Sequence, residues 1–332
     1  MEFTAGGRLE VRITAADMGK RVSVRALSGS GSGPEKFTDT VGVLTSWTDG
    51  VLLVTRRTGE GVRIAESALV AGKVVPAAPA RRRGPAASFA ELAASQARAW
   101  RPVESEPLGE WTLRAASGFT RRANSALPLG DPGTDLDDAL AAVDRWYAAR
   151  GLPGYVQAST GAEGTQEALC AALEERGWTR EVSAEVRVAG LAPVGDLDAD
   201  VSGVVLEREP GDGWLRRYNR AGGEPGPHVR AVLTAGASVW FARVADGDAI
   251  GRLVVDGRWA SFAAVEVDPG LRRRGLAKAV MAALARRALD EGASAAWLQV
   301  ETDNDAARGL YEAMGFAVHH RYHHFRSPRA GT

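Results

Sequence analysis

The stretch that decides the fold is "DPGLRRRGLAKAV", residues 268–280. Three arginines, Arg272, Arg273 and Arg274, run into Gly275, and an alanine-rich helix begins at once. A helix N-terminus already carries partial positive charge from amides without intrahelical partners, so further cations there are unfavourable. A polyanion resting on those amides removes the conflict, and a glycine lets its phosphates reach the backbone without meeting a side chain. The preceding "WASFAAVEV" (259–267) reads as a strand. Leu276, Val280 and Leu284 recur every four residues, the buried stripe of the helix. Strand, glycine turn and helix N-terminus together form an anion site. A plain basic patch at a helix start is the competing reading of this segment taken alone.

The chain has 332 residues, long for a single core, so two or three domains are expected. Its 41 basic and 41 acidic residues cancel, which implies no bulk pull toward nucleic acid or membrane. A lone cysteine, Cys170, excludes a disulfide framework and a cysteine-rich metal site and fits a reducing cytoplasm. No apolar run approaches the ~18 residues of a membrane span. The beginning, "MEFTAGGRLEV", lacks the basic-then-apolar pattern of a secretion signal. The expectation is a soluble, cytoplasmic chain.

Residues 1–75 read as five short strands, "RLEVRI", "RVSVRA", "TVGVLTSW", "VLLVTRR" and "VRIAE", with Asp49-Gly50 as a hairpin turn. Their density suggests a small SH3-like all-β barrel. "SGSGSGP" (28–34) is a loop, since no strand-to-helix context makes it a dinucleotide fingerprint. Residues 76–107 form a Pro/Ala/Arg linker and a short helix opened by Ser88 and Glu91 as a capping box. From 108 the pattern is α/β. The order helix, strand, helix, strand occurs over 139–188 and again over 277–325, with Gly177-Trp178 matching Gly315-Phe316. Leu173 stands in the first run where the second has Tyr311, and the first lacks an Arg-x-x-Gly-x-Ala before its long helix. One working copy (196–332) and one scaffold copy (108–195) is the inference.

"NDAARGLYEAMGF" (304–316) adds a second motif. With it the chain resembles the GNAT superfamily of acyl-CoA N-acyltransferases. The pyrophosphate signature matches at Arg272, Gly275 and Ala277, and Asn304, Ala307, Leu310, Tyr311, Gly315 and Phe316 match the later pattern, about 27 residues beyond Ala277. The resemblance spans 201–325 directly and 108–190 as a decayed copy, and the whole chain is similar to tandem GNAT proteins with an SH3-like front barrel. It implies acetyl-CoA as co-substrate, its pyrophosphate held by amides of 273–277, including those of Leu276 and Ala277, with Arg272, Arg273, Arg274 and Lys278 balancing the charge. Main-chain groups of Val265 and Val267 would bond the pantetheine arm where two strands splay, and Asn304 would anchor it. Tyr311 would donate a proton to the departing thiolate, phenol and thiol being close enough in pKa, roughly 10 and 8.5, for transfer. For the base, Glu266 or a water held by Glu301 stays open, because Gln299 stands where the similar ribosomal-protein alanine acetyltransferases carry a glutamate.

Acceptor recognition is expected from 211–232, where the superfamily sets two short helices, with Trp214, Tyr218 and His228 as candidates. Arg121, Arg122, Asn124 and Ser125 of "GFTRRANS" are candidates for a carboxylate-bearing acceptor. Four of the five histidines lie in "HHRYHH" (319–324). Alternation puts His320 and His324 on one face, about 13 Å apart, too far to share an ion, so no metal is expected. The expected activity is direct acetyl transfer to a primary amine of an amino acid such as glutamate or of another small molecule. A protein lysine or N-terminal amine is the alternative. An acyl-CoA-binding regulator with a partner- or nucleic-acid-binding barrel is the reading of another class. No membrane or nucleic-acid partner is expected of the working copy, as monomer or homodimer.

Overall fold

The computed structural model describes residues 11–27, 37–75, 84–218 and 225–328. The chain divides into two units, residues 1–81 with 159–177, and 82–158 with 178–332. The first is built on β1 (Arg21–Leu27), β2 (Phe37–Thr48), β3 (Val51–Arg56), β4 (Gly61–Ala65) and β5 (Leu69–Val74), an antiparallel sheet in the order β4-β3-β2-β1-β5. Period-two patterning buries Val22, Val24 and Ala26 of β1 with Leu44, Leu52, Val54 and Ile64. Asp49 and Gly50 take φ of 51° and 71°, the left-handed pair that the hairpin needs.

Two expectations change here. Of the strand expected at 8–13, residues 8–10 lie outside the described residues; Val11 makes one parallel bridge to Gly72, and Ile13 plugs the core. The fifth strand is β5, "LVAGKV", whose small residues hide the alternation. Gly72 is required there, because an added Cβ would meet the Ile13 side chain at 2.8 Å. The loop 28–34 and linker residues 76–83 lie outside the described residues.

The second unit opens with α1 (Phe89–Ala99) and a three-stranded sheet, β6 (Glu104–Leu108), β7 (Trp111–Ala115) and β8 (Leu127–Pro128). There follow α2 (Leu136–Ala148), β9 (Tyr155–Thr160), α3 (Glu167–Glu175, grouped with the first unit) and β10 (Thr179–Gly190). Next come α4 (Leu191–Gly195), β11 (Val204–Glu207), α5 (Asp212–Arg217), α6 (Pro227–Thr234), β12 (Ser238–Val244), β13 (Ala249–Asp256) and β14 (Trp259–Val267). The chain ends with α7 (Leu276–Asp290), β15 (Ala295–Glu301), α8 (Asp305–Ala313) and β16 (Ala317–Arg326). Helix, strand, helix, strand thus occurs twice, as α2-β9-α3-β10 and α7-β15-α8-β16. The main sheet runs β11-β12-β13-β14-β15-β10-β16-β9, and its β14–β15 pairing is parallel.

Helix α7 sits close on this sheet because β13 carries Gly251, where a Cβ would come within 2.5 Å of Val280 Cγ1. Val280 and Leu284 are wholly buried, as the four-residue stripe predicts. Truncating Leu284 to alanine would cost about 2–5 kcal/mol. Helix α1, read from sequence as part of a linker, is core material: Leu92 and Ala99 are buried, and Ser95 Oγ accepts Trp297 Nε1–H at 3.0 Å. Ser88 caps it by accepting the Glu91 amide at 3.1 Å. The Glu91 carboxylate does not return to the cap; it accepts from Arg258 and Trp259.

Candidate active site

The turn between β14 and α7 is held from both sides. Asp268 accepts the Gly270 amide at 2.8 Å and Arg217 Nη2–H at 2.5 Å, while Arg217 Nε–H reaches the Gly247 carbonyl. These bonds keep the Asp268 carboxyl below its usual range. Gly275 is the N-cap of α7 at φ 80°, and no protein atom lies within 4 Å of where its Cβ would stand. No side chain caps this helix, and its first turn holds no acid. Arg272, Arg273, Arg274 and Lys278 are exposed, and among the described residues no carboxylate forms an ion pair with them. Arg273 itself sits at φ 63°, uncommon for a side-chain-bearing residue. The first turn of α7 thus starts uncapped, with open space at the Gly275 Cβ position and four exposed cations in the adjoining sequence. The residues present fit a phosphorylated ligand.

Strands β14 and β15 pair in register from Trp259–Ala295 to Phe262–Leu298 and then part. The cause lies on the other edge of β14. Ala263 pairs with Arg252 and Glu266 with Ile250, so Ala264 and Val265 together oppose Gly251, a bulge in which Ala264 adopts φ 51°. The extra residue resets the alternation. Ala263 and Ala264 both pack toward the core of Trp214, Tyr218 and Trp259, whereas Val265 and Val267 pack toward that of Val280 and Tyr311. Main-chain groups beyond Phe262 are thereby freed from β15, as the expected splay requires.

Tyr311, on α8, is buried against Phe316, with ring centroids 6.0 Å apart. Among the described residues its hydroxyl has no hydrogen-bond partner. Burial first, and then the nearby charge of Glu266, raises its pKa to about 12, so the phenol is protonated throughout the physiological range. Of the two bases that the sequence leaves open, Glu266 and a water held by Glu301, the charge of Glu266 bears on Tyr311. Asn304 is the N-cap of α8, its Oδ1 accepting the Ala307 amide at 3.1 Å, which leaves its amide nitrogen exposed.

Acceptor-side candidates separate clearly. Tyr218 lines a cleft together with Phe262, Ala263 and Ala264 of β14, Gln299 of β15, Trp100 and Arg122. Trp214 does not line it: it is buried core, its indole N–H donating to the Gly251 carbonyl at 3.2 Å. His228 is half-buried beside Gly226 at the start of α6 and is not among the lining residues. Asn124 is spent on its own loop, with Oδ1 accepting the amides of Ala116 and Gly118 and Nδ2 donating to the carbonyls of Phe119 and Thr120. Arg121 turns to Glu181 and over Tyr155. Ser125 is claimed by the buried Arg114. Sequence reasoning missed Trp100 and Gln96 because α1 read as linker; the four-residue spacing of Leu92, Gln96 and Trp100 was the available signal.

Among the described residues no group of three or more His, Cys, Asp or Glu is placed to hold a metal ion. The histidines depart from simple alternation: β10 skips His319 in pairing with β16, so His319 and His320 meet Nδ1 to Nδ1 at 2.9 Å. Burial pulls the pKa of His320 and of His323 down to about 3, and that of His324 well below the ordinary value.

With this geometry in hand, residues 87–325 match the model of the family described as "Probable histone acetyltransferase Rv0428c C-terminal". The chain is 28% identical over 324 residues to the probable histone acetyltransferase Rv0428c of Mycobacterium tuberculosis (strain ATCC 25618 / H37Rv), covering 95% of this chain and 97% of that protein. Among solved structures, a GCN5-related N-acetyltransferase from Kribbella flavida superposes with a TM-score of 0.53 at 19% identity, over 73% of this chain and 97% of that one. That likeness establishes the fold. A tandem GNAT protein from the clavulanic acid biosynthesis pathway gives 0.49 at 15% identity, over 77% and 93%. No helix among the described residues is long and apolar enough to cross a membrane.

Proposed function

The chain belongs to the family of the Rv0428c C-terminal region and is an acetyltransferase of GNAT type, and from that premise we propose that it moves an acetyl group from acetyl-CoA directly to a primary amine of a small molecule. The observation that carries this reading is the uncapped, acid-free start of α7 behind Gly275 and three exposed arginines that form no ion pair among the described residues. The CoA pyrophosphate would rest on the amides of 273–277, with Arg272, Arg273, Arg274 and Lys278 offsetting its charge. Main-chain groups at Val265 and Val267, freed by the bulge, would bond the arm and polarise the thioester carbonyl. The exposed amide nitrogen of Asn304 would hold the arm near α8.

The amine attacks the thioester carbonyl; a C–N bond forms, the C–S bond breaks, the thiolate takes the Tyr311 proton, and the extra proton on the attacking nitrogen restores the phenol as the amide forms. Burial widens the phenol–thiol gap beyond the sequence expectation, to about 12 against roughly 8.5, so transfer from phenol to thiolate is uphill and must be driven by cleavage of the C–S bond. The ammonium form of the acceptor must first lose a proton, and Glu266, whose charge bears on Tyr311, or a water held by Glu301 would receive it. Cys170 is buried in α3, outside the sequence segments that carry these motifs, and no acyl-enzyme is invoked. The relative's name raises a protein-lysine acceptor as the alternative. We read the front sheet as an SH3-like barrel, and 108–195 as a decayed copy of 196–332. Incubating the protein with acetyl-CoA and a panel of amino acids, polyamines and peptides while following free thiol tests the reading. Acceptor-dependent release is expected, and release no faster than hydrolysis for every acceptor would refute it.

A further inference from the structure

Beside the β14 bulge the described lining of the cleft holds no acid and one guanidinium, that of Arg122, which has no carboxylate partner among the described residues; a second, that of Arg252, is wholly buried and is not among the lining residues. Arg122 is half-buried, its Nε–H donating to Tyr322 Oη at 2.8 Å and its plane set against Trp100 and Tyr322, 5.6 and 5.8 Å from their centroids. These contacts fix the fork and leave Nη1 and Nη2 without a protein acceptor among the described residues. Arg252 lies 4.9 Å from the Trp100 centroid and pairs across the strand with Ala263. It is wholly buried and bonded only to the carbonyls of Leu233, Ala99 and Ala235, none of which cancels its charge. Burial lowers its pKa only to about 10, so it is cationic at neutral pH.

A second, independent observation sits on the same cleft. Gln299 donates through Nε2 to Gln96 Oε1 at 2.7 Å, and this leaves Gln96 Nε2 and Gln299 Oε1 buried with no partner. Turning both amides over would still orphan one donor and one acceptor, with the donor then on Gln299; with Gln299 Nε2 donating to Gln96, the orphan on Gln299 is the acceptor Oε1. Buried polar atoms without partners are rare in native interiors, and one on Gln299, which lines the cleft as Gln96 does not, points to a ligand that completes it. The missing partners are an oxygen acceptor for the donor and an N–H for the acceptor.

Resting on the acetyltransferase reading above, we propose that the acceptor is a small amino-acid-like zwitterion, its carboxylate seated on Arg122 and its amine directed by Gln299 toward the bulge. A carboxylate supplies two oxygens to the guanidinium fork, and the amine supplies the N–H that Gln299 Oε1 lacks. A lysine side chain offers Arg122 no carboxylate to seat, so its ammonium gains nothing from that cation. This argues against a histone tail as the acceptor of this chain.

The test compares free amino acids with their carboxamides and with lysine-containing peptides, in wild-type protein, Arg122→Ala, Arg122→Lys and Gln299→Glu. Thiol release gives kcat and KM, and calorimetric titration of CoA reports cofactor uptake separately. Free acids should be preferred over carboxamides, and Arg122→Ala should raise their KM about 10- to 100-fold with little change in kcat, the loss of one charge-assisted pair. Arg122→Lys should recover part of that loss, and Gln299→Glu should shift preference toward amines without a carboxylate, while both keep CoA uptake. Equal or better use of carboxamides or peptides by wild type, or an unchanged preference in Arg122→Ala and Arg122→Lys, overturns the proposal and leaves the transferase standing. Intact CoA uptake with no use of any carboxylate-bearing acceptor overturns it as well. Absence of CoA uptake sinks the transferase reading itself.

Discussion

The two helix–strand–helix–strand runs share an order and differ wherever a ligand would matter. Helix α7 begins behind three arginines and a glycine with no acid in its first turn, whereas α2 begins at Asp135 with Asp137 and Asp138. Acids at that end stabilise a helix by roughly 0.3–1 kcal/mol each, an advantage α7 forgoes. Between strands the contrast repeats. β14 and β15 part beside a cleft, while near the parallel Ala126–Val156 bridge of the first run Arg114 fills the space by bonding Ser125 and Gln157. Leu173 occupies in α3 the position of Tyr311 in α8. A self-neutralised helix start and a filled strand gap need no ligand. An open start and an open gap are incomplete alone.

The largest expected effect tests the third difference. Tyr311→Phe should lower kcat about 10²- to 10⁴-fold with CoA affinity within about twofold of wild type, whereas Leu173→Phe should leave both unchanged. Equal thiol release by wild type and Tyr311→Phe would end the general-acid role and with it the functional asymmetry of the runs.

A second contrast concerns acid. No histidine lies in the first run, while β16 carries four. His320 and His323 are neutral in the fold, with pKa values near 3, against about 6.5 for an unfolded chain. Between those values the unfolded state binds more protons, so stability is full above about pH 6.5 and drains as pH falls toward 3. Each histidine contributes about 1.4 kcal/mol per pH unit inside that window. Chemical denaturation at pH 7 and pH 5 should show the loss, and His320→Gln should flatten the slope by about one proton. A slope identical to that of wild type would contradict the assignment.

The smallest effect separates neighbours in the loop before β8. Arg121→Ala removes a largely exposed pair with Glu181 and should cost less than about 1 kcal/mol of stability, leaving acceptor KM unchanged. A KM rise comparable to that of Arg122→Ala would put Arg121 at the cleft after all.

Much of this was readable in the sequence. Period and punctuation located β14, α7, β15, α8 and β16 almost to the residue, because "RRRG" and "Asn-x-x-Ala" mark helix starts that local chemistry enforces. What escaped depends on register. The bulge at Ala264 and the skipped His319 each add one residue to a strand and redirect the side chains beyond it, and nothing in "FAAVEV" or "AVHHRY" announces the shift. Asn124 and Trp214 carry groups that suit a ligand equally well, but only their partners reveal that the fold has used them. Helix α1 was misjudged because alanine-rich sequence beside a Pro/Arg tract resembles a spacer until Trp297 and Gln299 are seen to bond it.

The central claim is that one helix start, that of α7, receives a phosphorylated ligand. Titrating CoA calorimetrically into wild-type protein, Gly275→Asn and Gly275→Asp tests it most directly, since both side chains tolerate the left-handed backbone of residue 275. One equivalent should bind wild type, more weakly to Gly275→Asn, and about 100-fold more weakly to Gly275→Asp, where a carboxylate occupies the phosphate position. No uptake by wild type, or one affinity shared by all three proteins, would contradict it.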